Sequence, residues 1–146
     1  MRKLIAFVAV YSALLMPNLA LSVEESHPDK VIAKKQIAGR LILFEEGDYV
    51  HVTLKPTVGK EVSFFLGNEG CFLARHYDQT LDVEYNEVER YFEEGGGYFP
   101  ANLIQSITEE KTKAKWNAAD SKPANPDDEL ACLNVLDEKL GQHTAD

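Results

Sequence analysis

The sequence predicts a small, mainly β domain: a five-stranded barrel over residues 36–108 with a C-terminal helix packed on it. Three observations carry this. Between Arg40 and Leu66, three apolar runs alternate with two turn-like interruptions, Glu45-Glu46-Gly47-Asp48 and Pro56 to Lys60. That period of two, broken by turn residues, is the signature of a β-meander. Two further strand-like runs come next, ending near Ile107. Leu130, Leu133, Leu136 and Leu140 then recur at near-helical spacing, which makes one apolar stripe.

The N-terminus sets the compartment. Met1-Arg2-Lys3 is basic, Leu4 to Met16 carries no charge, and small residues Ala20 and Ser22 come after Pro17-Asn18. These are the parts of a secretory signal peptide over residues 1–22, with cleavage after Ser22 or, alternatively, after Ala20. An uncleaved anchor is the competing reading, but the apolar run is short against the ~20 residues a spanning helix needs. No stable membrane insertion is expected after cleavage. The expected destination is secreted or periplasmic. Only Arg2 and Lys3 are charged in this segment, so the mature chain is more acidic than the whole, whose formal charge is −9. Such a chain repels phosphate backbones, so nucleic acid is not an expected partner. A cationic partner, for instance a protein, or simply solubility, suits it better.

Cys71 and Cys132 both lie beyond the signal peptide. Two cysteines in an exported chain predict one disulfide, against the alternative of two buried thiols. Metal ligation by the pair is disfavoured because no Cys-x-x-Cys spacing occurs. No cofactor is expected.

Taken in order, Val23 to Lys35 is polar and mixed and reads as a flexible leader. Gln36 to Phe44 is the first strand. Its apolar residues fall on both parities, which reads as a strand covered on both sides. Tyr49 to Lys55 alternates: Val50, Val52 and Leu54 face in, and Tyr49, His51 and Thr53 face out. Glu61 to Leu66 alternates again, with Val62, Phe64 and Leu66 in and Phe65 out. After Gly67 to Gly70, the segment Cys71 to Gln79 has room for a short helical turn. Thr80 to Asn86 is the fourth strand, which Val88 to Phe92 could continue. Leu103 to Ile107 is the fifth. Residues 109–125 read as a polar linker, and residues 126–146 as helix and tail. Asn125 is the N-cap, Pro126 the first helical residue, and Asp127 and Asp128 sit in the first turn.

Gly39-Arg40-Leu41-Ile42, Gly47 to Val52, Leu81 to Tyr85 and Leu103 to Ile107, with a longer connection after the third strand, resemble an OB-fold. The chain is similar in outline to small exported bacterial OB-fold-like proteins of poorly defined function. An SH3-like barrel has much the same strand count. The resemblance implies a barrel but transfers no function.

Three groups of residues are candidates for a site. Tyr49, His51 and Phe65 form an outward set on strands two and three, where OB-like barrels bind ligands, and Tyr91 is nominated with them. The alternative is that the C-terminal helix covers this face. Arg75-His76-Tyr77-Asp78 holds acid–base groups but no nucleophile in a recognisable context, and reads as a surface connection. The carboxylates Asp48, Asp78, Asp82, Glu84, Glu87, Glu89, Glu93 and Glu94 lack a cation-binding loop pattern, and no metal ligand is assigned. Gly95-Gly96-Gly97 is not a phosphate loop. The leading expectation is an exported non-enzymatic module that binds a protein or small-molecule ligand. An exported hydrolase on an OB-like barrel and a structural envelope protein are the alternatives.

Overall fold

The computed structural model describes residues 26–141. The predicted signal peptide, its cleavage point, Val23 to Glu25 and the tail after Gly141 lie outside the described residues. Eight elements succeed one another: β1 (Lys30–Glu46), β2 (Val50–Pro56), β3 (Val62–Phe65), α1 (Gly70–His76), β4 (Leu81–Phe92), β5 (Gly97–Glu109), β6 (Lys115–Asn117) and α2 (Pro126–Leu140). The molecule is mainly β, and five of its strands form a ring-like sheet.

β1, at 17 residues the longest strand, organises the ring by pairing with two strands along successive halves. Its first half pairs antiparallel with β4, and its second half with β2. Gly39 sits where they overlap, opposite both Pro56 and Leu81. A Cβ there would lie 2.3 Å from the Lys55 carbonyl oxygen, so the close approach of β2 requires glycine. The strand begins at Lys30 rather than Gln36: half of the stretch read as a flexible leader is paired with β4 as far as Glu89. Arg90 holds it from the side with a two-pronged bond to Asp29 (2.9 and 2.7 Å).

The apolar residues on both parities of β1 have a different cause from the one expected. The β1–β2 register shifts between Leu41 and Leu43, so Ile42 is an extra residue. A bulge reverses the parity of the residues after it. Leu41 and Phe44 therefore both reach the core, three positions apart.

β2 and β3 keep the alternation expected of them. Val52, Leu54 and Phe64 are buried, and Phe64 meets Tyr85 edge-to-face at 5.0 Å. Thr53, expected on the outer face, is nevertheless buried; its hydroxyl lies 2.7 Å from that of Ser63 across the strands. β4 and β5 form one long hairpin through the Glu93–Gly96 turn, where Gly96 takes φ +61°. β5 runs from Gly97, well before the Leu103 expected from sequence. Phe65 pairs in parallel with Leu103, joining β3 to β5 and completing the ring. The predicted linker contains β6, which adds to β5 and places Trp116 opposite Ile107.

Both helices pack together at one side of the ring, with α2 also against β1. The α2 N-cap is the expected one: the Asn125 side chain accepts from the Asp127 N–H at 2.9 Å. Leu136 and Leu140 are buried in the shared core, and Leu133 packs against it. Leu130, the first residue of the expected stripe, is exposed instead, because the stripe enters the core only from Leu133 onward. A Cys71–Cys132 disulfide ties α2 to α1, with Cα atoms 4.9 Å apart. Among the described residues no helix is long and apolar enough to cross a membrane.

Candidate functional site

Four chain segments converge on one aromatic face. Antiparallel pairing of β2 with β3 sets His51 directly opposite Phe65, with ring centroids 4.2 Å apart. Tyr49, just before β2, meets Phe65 edge-on at 5.7 Å. The far end of β4 brings Phe92 to the same place, 4.8 Å from Tyr49 and 5.4 Å from Phe65. Phe99 of β5 extends the set from Phe92 at 6.1 Å. Tyr49 is 38% exposed and Phe99 46% exposed, so the outer members are open to solvent. α2 packs chiefly on α1 and β1.

The rim of this face is acidic and fixed in place. The Tyr49 hydroxyl donates to Glu94 at 2.9 Å, which joins the β1–β2 turn to the β4–β5 turn. That bond raises the phenol's pKa above its ordinary value, as do partial desolvation and the nearby carboxylates Glu94, Asp48 and Glu93. The His51 ring presents Nδ1 to the Tyr49 carbonyl at 3.1 Å, so Nδ1–H is the donor and Nε2 remains available on the face. Aromatic rings offer their negative faces, and three carboxylates stand beside them. Chemically, this surface suits a cation with apolar neighbours.

The four residues nominated from sequence do not all meet. Tyr49, His51 and Phe65 do. Tyr91 belongs elsewhere: its neighbour Phe92 turns toward the face, so alternation turns Tyr91 away. It stacks on His27 at 3.9 Å and meets Tyr98 at 5.5 Å, while Lys30 Nζ lies 3.8 Å over the Tyr98 ring. That second cluster fastens the first described residues onto the hairpin. Phe92 and Phe99 were the residues missed. The signal for them was the Glu93–Gly96 turn flanked by Tyr91-Phe92 and Tyr98-Phe99, obscured by Pro100.

The other candidates disperse. His76 packs on the Phe72 ring at 4.5 Å, and Asp78 accepts from Gln79. No hydrogen bond joins His76 to Asp78 among the described residues. Of the carboxylates, Asp82 accepts from Gln36, Glu84 from Ser106 and Glu87 from Lys35. Among the described residues no three His, Cys, Asp or Glu side chains converge as a metal site would require. Gly95 to Gly97 turns the β4–β5 hairpin.

No protein-family model, curated protein or solved structure matches the chain with significance.

Proposed function

We propose that the protein is an exported, non-enzymatic binding module on an OB-like barrel, and that it takes a cationic protein partner on the Tyr49–His51–Phe65–Phe92–Phe99 face. The single observation that carries the reading is the union of five aromatic or imidazole rings with the acids Asp48, Glu93 and Glu94. The OB-like assignment is supported by strand order. Around the ring the strands run β1-β2-β3-β5-β4, with α1 between β3 and β4 and a parallel β3–β5 contact. On such barrels the face of strands two and three, flanked by the turns after strands one and four, is the usual binding surface. Here those two turns are the ones bonded through Tyr49 and Glu94. The acids oppose a phosphate backbone and favour lysine and arginine side chains. Export is supported by the signal-like N-terminus and the disulfide.

Capture from envelope extract on immobilised mature protein tests this. Tyr49→Ala and Phe99→Ala remove exposed rings, so their melting points should stay near wild type. The expected result is loss of a partner that wild type retains at low salt and releases at high salt. Equal capture by wild type and both variants would reject the face.

A further inference from the structure

A second, concave site lies beside that face and is built around a buried carboxylate. It is a cleft of about 210 Å³ between the β3–α1 turn, β5 and β6. Phe65, Leu66, Leu103 and Trp116 give it apolar and aromatic walls. At its wall is Glu69, a carboxylate only 2% exposed. Burying an ionised carboxylate is costly unless a cation or several donors attend it. Glu69 has only backbone donors, the N–H groups of Gly67 and of Glu69 itself. Its Oε1 accepts the Gly67 N–H at 2.9 Å, and no cationic side chain pairs with it among the described residues. The other charged residue lining the cleft, Arg90, is already neutralised by Asp29 (2.7 Å).

We propose that this cleft binds a primary alkylammonium group, with the charge against Glu69 and the alkyl chain against Trp116 and Phe65. The reasoning is one of complementarity. The cleft is below the ~300 Å³ at which drug-sized pockets begin, so its occupant is the size of one side chain. The Gln105 amide nitrogen is committed to the Leu103 and Ile104 carbonyls, which leaves its oxygen as a further acceptor. Glu69 and the Gln105 oxygen are acceptors that a donating ligand complements, and an ammonium donates three times. Trp116 adds the aromatic face most favourable to a cation. Desolvation pushes the Glu69 pKa up, and a cation seated beside it would relieve that cost. Phe65 is shared with the neighbouring face, but Tyr49, His51, Phe92 and Phe99 do not line the cleft, and the carboxylate invoked here, Glu69, is not one of that face's acids.

Trp116 is the only tryptophan in the chain, so its fluorescence reports the cleft directly. The mature protein is titrated with n-butylammonium chloride at constant ionic strength, and in parallel with 1-butanol. The expected result is a saturable change with the ammonium and none with the alcohol. Glu69→Gln, which keeps an acceptor for Gly67, should weaken the ammonium response roughly tenfold while its far-UV dichroism stays unchanged. A third arm uses Nα-acetyl-lysine methylamide. A response there assigns the ammonium to a lysine side chain of a peptide; a response to butylammonium alone assigns it to a free amine. No saturable response to either amine, an equal response to butanol, or undiminished binding by Glu69→Gln would overturn the proposal.

Discussion

Glu109 shows how a buried charge becomes part of the fold. It closes the turn between β5 and β6 and is only 1% exposed. Its Oε1 accepts the Lys111 N–H at 2.8 Å, and its Oε2 accepts both the N–H (2.6 Å) and the hydroxyl of Thr112. Those donors favour the ionised form, the Thr112 hydroxyl most of all, and hold the pKa down at about 2. A depressed carboxylate stabilises the fold above its unfolded value, 4.5, and the contribution fades as pH falls from there through about 2. Glu109→Gln should therefore melt lower than wild type at pH 7, by several degrees, and the two should draw together on acidification. A melting difference that stays constant from pH 7 to pH 2 would contradict this role. Glu69 is the opposite case: it is buried with the Gly67 N–H and its own N–H as donors and no cation beside it among the described residues, and desolvation raises its pKa. Neither role was legible in the sequence, where both are single acids in polar stretches. Their environments come from turn geometry that periodicity does not encode.

The elements themselves divide by how local their signals are. The β2–β3 alternation and the α2 cap were legible, because period and capping chemistry act over a few residues. The Cys71–Cys132 bond was legible from the count of two cysteines behind a signal-like N-terminus. The bulge at Ile42 was not, since an extra residue in a strand looks like apolar residues on both faces. The extension of β1 back to Lys30 was hidden for a related reason. Val31 and Ile32 remain exposed, so the segment has no buried stripe to betray it and is ordered by pairing with β4. β6 was missed because three residues are too few for any period. The disulfide can be tested directly, because it joins α1 to α2 across 61 residues of chain. Closing a loop of that length is worth ~4 kcal/mol in the chain-entropy view. The double variant Cys71→Ser/Cys132→Ser should lose about that much stability in urea unfolding while keeping its β-type dichroism. Undiminished stability would mean the helices hold without the bond.

For the molecule as a whole, the ring of strands sets two turns side by side, and the candidate site exists only there. Tyr49, His51 and Phe65 could be nominated from alternation alone, because each is the outward neighbour of a residue turned toward the core. Phe92 and Phe99 could not, because they enter through the long β4–β5 hairpin whose reach depends on closure of the ring. The same hairpin carries Tyr91 away from this face, where it stacks on His27 instead of joining Tyr49, His51 and Phe65. An acidic chain attracts cations everywhere, which makes localisation the decisive property. The most direct measurement is an amide NMR titration of the ¹⁵N-labelled mature protein with tetralysine at low and high salt. Shifts concentrated at Tyr49, His51, Phe65, Phe92 and Phe99, saturable and lost in Tyr49→Ala, are the result a built cationic-ligand face predicts. Shifts spread over the acidic surface without saturation, and unchanged in Tyr49→Ala, would contradict it.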